Sequence, residues 1–171
     1  MAVGPATLPS MYSVDGIRIG VASAGIKKPG RKDVVVFEVC EDASVAGVFT
    51  KNAFCAAPVV ISKDHLAQGN VRYFLINTGN ANAGTGKQGL ADAYECCDLL
   101  AAEVGLTRSA VLPFSTGVIG EPLPVAKIAA AIPQAVENLS AYQCEAAASG
   151  IMTTDTRPKG APKQIEIDGQ T

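Results

Sequence analysis

The sequence has no tryptophan, only one histidine and few aromatic residues, which make up 5% of its 171 positions. A transition-metal site or a catalytic cysteine usually needs histidine partners, and His65 lies at a polar-to-helical boundary typical of a structural residue. The five cysteines are odd in number and form no CxxC pair, a pattern typical of reduced thiols in a cytosolic protein. We therefore expect that the protein has no metal site, that its thiols are free and that it is cytoplasmic.

Long apolar runs and a basic excess are also missing. No apolar run approaches the roughly 18 residues of a membrane span, and the N-terminus lacks the basic and apolar regions of a signal peptide. Fourteen Lys and Arg against sixteen Asp and Glu give a net charge of −2, which disfavours nucleic-acid binding. The main basic cluster, Lys27–Lys32, is interrupted by a Pro-Gly pair and is interpreted as a solvated loop. We expect neither a membrane nor a nucleic-acid partner.

Apolar patterning predicts one α/β domain over residues 1–171. Short β-branched runs predict four strands, at Val34–Cys40, Val45–Thr50, Pro58–Ser62 and Val71–Asn77. The second of these is expected to pair with the first as a hairpin. Helical spacing predicts helices from Gln88 to Gly105, from Val125 to Leu139 and from Ala141 to Ser149. Pro133 is expected to kink or split the second helix. Lys163–Ile167 alternates before Asp168-Gly169, which predicts a strand entering a hairpin turn.

The most informative segment is Ala110–Gly120, where an apolar run ends abruptly at Ser115, Thr116 and Gly117. A strand that ends in this way presents a hydroxyl and backbone N–H groups beyond the sheet edge. Such preset donors can stabilise the negative oxygen that forms during acyl transfer. The alternative from these residues alone is a tight turn after a buried strand.

A second segment, Asn77–Gly89, contains three asparagines and a literal GxGxxG at Gly84, Gly86 and Gly89. In a dinucleotide site the first glycine ends the strand directly, whereas seven residues intervene here. The P-loop pattern fails as well, because Gln88 stands where Ser or Thr is required. An ordered loop with side-chain caps is the favoured interpretation, and a nucleotide-binding module remains an alternative.

A third segment, Ser149–Lys159, places three threonines, a carboxylate and two cations after a predicted helix end. These groups can fix the polar end of a small ligand. The simpler alternative is that Thr154 and Asp155 cap or turn the chain before Pro158.

Taken together, these segments resemble one family, the ornithine acetyltransferases, also called bifunctional glutamate N-acetyltransferases, of arginine biosynthesis. The matching motifs, in order, are Gly47–Asn52 with Ala56–Val59, Asn77–Gly86, Ser115–Pro124 and Ile151–Asp155. The resemblance covers nearly the whole chain.

The resemblance implies an enzyme made as one precursor that cuts itself before a threonine into an α and a β chain. That threonine is the nucleophile, and acetyl passes from N2-acetyl-L-ornithine through an acetyl-enzyme to L-glutamate. Some members also use acetyl-CoA as donor, and no cofactor is implied. By this resemblance Thr116 and Gly117 form the oxyanion hole and Thr153 contacts substrate. The implied fold is a four-layer α/β/β/α sandwich completed by the β chain, in an α2β2 heterotetramer.

The sequence departs from the family pattern near its C-terminus. The family's α chain continues to a Lys-Gly-x-Gly-Met segment before the cleavage site, and Thr171 does not match that site. We therefore expect the nucleophile on another chain and no activity from this chain alone. The alternative function is a related self-cleaving aminopeptidase or amidohydrolase, in which water accepts the acyl group.

Overall fold

The computed structural model describes residues 7–168, which form a mixed α/β fold, as predicted. In chain order, the elements are β1 (Ile17–Ala22), β2 (Val34–Val39), α1 (Ala57–Gln68), β3 (Tyr73–Asn80), α2 (Gly86–Glu103), a 3-10 turn (Arg108–Ala110), β4 (Val111–Val118), α3 (Val125–Glu137) and α4 (Cys144–Gly150).

The four strands make one sheet in the order β1-β2-β3-β4. β1, β2 and β3 pair antiparallel, whereas β3 and β4 are parallel and are joined through α2. The C-terminal ends of β1, β3 and β4 therefore meet at one edge of the sheet. The loop between β1 and β2 lies at the same edge, which carries the candidate site.

The helices α1, α2 and α3 cover one face of the sheet, and the main core lies between these helices and the sheet. This core joins alternate strand residues, such as Val36, Leu75 and Val111, to fully buried helix residues such as Leu100 and Ile132. Burial of these apolar surfaces is the main stabilising term of the fold.

The opposite face of the sheet is covered only in part. α4 packs on β1 and β2 through Ala147, which contacts a small cluster around Val35. Towards β4 the face carries a row of aromatic rings, with the Phe74 ring 6.3 Å from that of Phe37 and 5.6 Å from that of Phe114. The side chain of Phe114 is 42% exposed, so this side of the sheet presents apolar surface.

Two predicted strands are wrong. Pro58–Ser62 is the first half of α1, because proline is well tolerated in the first helical turn and Ile61, Ser62 and His65 bury one side of that helix. Val45–Thr50 pairs with no strand in the part of the chain that the structure describes, and Val48 is fully exposed. The β-branched content of both segments favoured strands, but tertiary packing decided otherwise.

Three further features differ from the predicted elements: the first strand, the helix through Pro133 and the last predicted strand. β1 was not predicted, although Ile17–Ala22 follows a glycine turn. α3 continues through Pro133, so the helix is not split there. Lys163–Ile167 is not a strand: within it, only Ile167 forms an isolated bridge, and Gly169 of the expected hairpin lies outside the described residues.

A row of polar side chains crosses three strands at the other end of the sheet. Arg18, Glu38 and Tyr73 are neighbours in register. The Arg18 guanidinium pairs with the Glu38 carboxylate, and the Tyr73 hydroxyl donates to the same carboxylate at 2.6 Å. The hydrogen bond from Arg18 is the largest cause holding the pKa of Glu38 below its usual range. Burial is the largest cause raising the pKa of Tyr73 to about 12.

This row predicts an acid-dependent contribution to stability. Because the folded-state pKa of Glu38 is lowered, its contribution is complete above the ordinary glutamate pKa of 4.5 and is lost as the pH falls through the folded value. Arg18 is 56% exposed, so we expect about 1 kcal/mol or less. Glu38→Gln should lower the free energy of unfolding at neutral pH and flatten its fall in acid. Urea unfolding at neutral and at acid pH measures this. The exposed Glu103→Gln variant is the control and should lose as much stability in acid as the wild type. The same loss in Glu38→Gln would contradict the prediction.

Candidate active site

The parallel register of β3 and β4 breaks where both strands reach the common edge. Thr78 faces Thr116 and Gly79 faces Gly117, and the register then shifts at Asn80. β4 continues to Val118, so the prediction that the strand ends before Thr116 and Gly117 is wrong: both residues belong to the strand and pair with β3. The neighbouring Ser115 hydroxyl donates to Asn77 Oδ1 at 2.6 Å, so it holds the two strands together.

Gly117 makes this close approach possible. Its φ is +139°, a conformation that residues with a side chain rarely adopt. A methyl group at Gly117 would collide with the Gly79 carbonyl and lie 2.6 Å from the Asn80 nitrogen. The position therefore requires glycine for two independent reasons, conformation and space.

A cleft of about 420 Å³ opens beside the ends of β3 and β4. Thr116, Gly117 and Thr153, the three residues predicted for the site, all line it. Thr116 is half-buried, and its hydroxyl has no hydrogen-bond partner among residues 7–168. The structure thus brings Thr116 and Thr153 to one cleft, although they are 37 positions apart in the sequence.

The segment that carries Thr153 is held against the sheet from two sides. The Thr78 hydroxyl donates to the carbonyl of Gly150 at 3.0 Å, at the end of α4. The Arg31 guanidinium donates to the carbonyl of Met152. These contacts place Thr153 in the cleft that Thr116 and Gly117 also line.

The basic loop between β1 and β2 borders the cleft. Lys27, Lys28 and Arg31 line it, together with the buried Asp33. The interpretation of this cluster as a solvated loop missed that role. The only sequence signal was a carboxylate directly before a strand, which is too weak to identify a site.

The Asn/Gly segment is a loop only at Ala81–Thr85, because Asn77–Asn80 end β3 and Gly86–Gly89 begin α2, and its polar groups bond to one another. Asn80 and Asn82 are buried, and the Asn82 amide group donates to the carbonyl of Gly89 at 2.8 Å. Asn80 donates to the carbonyls of Glu121 and Pro122 at 3.1 and 3.0 Å. These bonds connect the end of β3 to the loop after β4, which is the structural role that the asparagines suggested.

The remaining nucleophile and metal candidates are unsuited to the site. Burial raises the pKa of Cys96 to about 12 and also raises that of Cys97, so neither thiol is ionised at neutral pH. His65 is buried, with Nδ1 2.6 Å from the carbonyl oxygen of Val111. Within residues 7–168 no three His, Cys, Asp or Glu side chains form a metal-binding group.

A larger depression of about 690 Å³ lies at the opposite edge of the sheet, between Gly69–Arg72 and Gly105–Thr107. It contains none of the residues predicted for the site. The smaller cleft is the better candidate, because the Thr116 hydroxyl and the positive-φ Gly117 both line it.

The chain is a mixed α/β fold with a cleft at the ends of β3 and β4. Comparisons with known proteins specify its class. The model of the ArgJ family matches residues 18–171. The arginine biosynthesis bifunctional protein ArgJ of Pseudomonas syringae pv. tomato is 60% identical over the whole chain, and that of Methylococcus capsulatus is 57% identical over 92% of it. These alignments cover 42% and 38% of the two relatives. The chain belongs to the ArgJ family, and the resemblance to ornithine acetyltransferases is confirmed.

Solved structures agree with this assignment. The ornithine acetyltransferase of Mycobacterium tuberculosis, crystallised with ornithine, matches with a TM-score of 0.80 and 35% identity over 83% of this chain and 78% of that one. ArgJ from Bacillus halodurans matches with a TM-score of 0.75 and 35% identity, covering 83% of this chain and 74% of that one. Among the described residues, no helix has the length and hydrophobicity of a membrane span.

Proposed function

We propose that this chain is the α subunit of a cytoplasmic acetyltransferase that moves acetyl from N2-acetyl-L-ornithine to L-glutamate. Membership of the ArgJ family supports this reaction, since both relatives are named as bifunctional proteins of arginine biosynthesis. The single observation that carries the assignment of the site is the convergence of Thr116, Gly117 and Thr153 on one cleft.

In the proposed reaction, a threonine hydroxyl on a second chain attacks the acetyl carbonyl carbon of acetylornithine. The threonine's own α-amine takes the hydroxyl proton, and the carbonyl oxygen becomes negatively charged. The Thr116 hydroxyl and the Gly117 N–H donate to that oxygen. Collapse of the tetrahedral intermediate breaks the amide bond, and the ornithine nitrogen leaves with the proton.

Glutamate then completes the transfer. Its amine attacks the acetyl-threonine ester and gives a proton to the threonine α-amine, while the same two donors stabilise the second oxyanion. The threonine oxygen then leaves and takes that proton, which restores the hydroxyl. Thr153 contacts the bound amino acid from the opposite wall of the cleft. Lys28 and Arg31, which border the cleft, favour substrates that carry carboxylates.

The second chain is proposed to be the β chain of the same precursor. This chain spans less than half the length of the curated relatives. Its sheet has an incompletely covered face with Phe74 and Phe114, and Ile119 beside the cleft is 66% exposed. A second sheet on that face would complete a four-layer α/β/β/α sandwich, assembled as α2β2.

The reaction is tested with the enzyme expressed from its complete gene. With acetylornithine and glutamate we expect ornithine and N-acetylglutamate to form in equal amounts, and little turnover without glutamate. Acetate release at the same rate with or without glutamate would instead identify the amidohydrolase alternative. Replacing acetylornithine by acetyl-CoA in the same assay decides whether that donor is used.

A further inference from the structure

A buried carboxylate organises the loop between β1 and β2. Asp33 is 2% exposed, and its two carboxylate oxygens accept from the backbone N–H groups of Ala24 and Ile26, each at 2.6 Å. Its backbone N–H donates to the carbonyl of Ala22 at 3.1 Å, and its carbonyl accepts from the Thr78 N–H at 2.9 Å. A buried charge is costly unless it is hydrogen-bonded, and here the bonds tie the loop to β1 and β3.

The loop places Lys27 across the end of β3. A methyl group at Gly79 would lie 2.9 Å from Lys27 Cγ and 3.1 Å from Ile26 Cγ2, so these side chains lie directly on the glycine backbone. Gly79 is the register partner of Gly117. The Lys27 ammonium then reaches the loop after β4, where it ion-pairs with Glu121.

Two further contacts hold this arrangement. Lys127 from α3 donates to the carbonyl of Gly25 at 2.8 Å, on the loop. Asn80 donates to the backbone carbonyl of Glu121 at 3.1 Å. Glu121 is therefore held through its backbone by β3 and through its side chain by Lys27.

We propose that Asp33 and Lys27 are positioning residues for the oxyanion hole: Asp33 fixes the loop, and Lys27 covers Gly79 and ties down Glu121. Together they hold the backbone at Thr116 and Gly117 through two contacts, one on Gly79 of the neighbouring strand and one on Glu121 of the loop after β4. This inference rests on the proposed acetyltransferase function. Preorganised donors lose effect steeply when displaced, and a shift of about 1 Å can cost about 100-fold in rate.

The ion pair offers a test that leaves the fold intact. The Lys27 and Glu121 side chains are 41% and 47% exposed, and such surface pairs contribute little to stability. Lys27→Met keeps the apolar stem over Gly79 and removes only the charge, whereas Lys27→Arg keeps the charge. The matched control is Asp98→Asn, which breaks the ion pair between Arg108 and Asp98. The side chains of Arg108 and Asp98 are 46% and 47% exposed, and neither lines the cleft.

Steady-state kinetics of the complete enzyme measure the effect. We expect Lys27→Met and Glu121→Gln each to lower kcat about three- to fivefold, the most that losing one surface ion pair can cost, with KM for acetylornithine and for glutamate changed less than about 1.5-fold. The double variant should be no slower than the slower single variant, because both break one contact. Lys27→Arg should recover most of kcat, and Asp98→Asn should behave as wild type. Asp33→Asn should show the same loss of kcat at constant KM.

Some results would overturn the proposal. These are wild-type kcat in Lys27→Met, multiplicative losses in the double variant, or no recovery with Lys27→Arg. The Lys27 variants keep the test decisive even if Asp33→Asn fails to fold. A wild-type enzyme that transfers acetyl to glutamate while these variants are unaffected refutes only the positioning role. A wild-type enzyme that forms no N-acetylglutamate refutes the proposed function itself.

Discussion

Replacing Thr116 with alanine is expected to lower kcat about 10²–10³-fold, with little change in KM. The Thr116 hydroxyl lines the cleft and has no protein partner among residues 7–168, so its removal costs the fold no hydrogen bond. In the proposed mechanism it stabilises charge that exists only in the transition state, and losing one such donor costs about 2.7–4 kcal/mol. Steady-state kinetics of the complete enzyme with acetylornithine and glutamate measure the loss.

Thr116→Ser is the matched control, because it keeps a hydroxyl at the same position. It should retain most of the activity and show the same thermal stability as Thr116→Ala. A Thr116→Ala enzyme with wild-type kcat would remove the hydroxyl from the mechanism. A large rise in KM with unchanged kcat would make it a ground-state binding group.

Gly117→Ala is expected to affect both activity and stability. At a φ of +139°, an alanine is strained by about 1–3 kcal/mol, and its methyl group collides with Gly79 in the neighbouring strand. Relief of the collision has to separate β3 from β4, which moves the N–H donor of residue 117. We expect kcat to fall by about 100-fold or more and the melting temperature to fall as well.

Gly120→Ala separates strain from collision. Gly120 also has a positive φ, +75°, but a methyl group there meets nothing within 4 Å. It should cost about 1 kcal/mol of stability and leave kcat nearly unchanged. Equal losses of kcat in the two variants would mean that the close approach at Gly117 is unimportant for catalysis.

The functional edge of the sheet was more predictable than the fold around it. The abrupt end of an apolar run at Thr116 and Gly117 is a local signal, and the structure places both residues at the cleft with Thr153. The β-branched content of Val34–Val39 and the 3.6-residue period of α2 are local signals too. Each of these features is encoded within a few neighbouring residues.

Other features depend on contacts between distant segments. The run Pro58–Ser62 has strand-like composition, and only its packing against β4, including a hydrogen bond from the Ser62 hydroxyl to the carbonyl of Pro113 at 3.0 Å, shows why it is helical. The role of Asp33 depends on the loop folding back onto the carboxylate. The ion pair of Lys27 and Glu121 joins residues 94 positions apart. No periodicity or spacing predicts such contacts.

In the proposed mechanism this chain supplies the oxyanion hole, while a threonine on a second chain carries the acetyl group. Intact-mass analysis of the denatured complete enzyme, after incubation with acetylornithine alone, tests this division of roles. We expect two chains, one of them beginning with threonine and heavier by one acetyl group that is lost when glutamate is added. A single chain, or an acetyl group on the chain that contains Thr116, would contradict it.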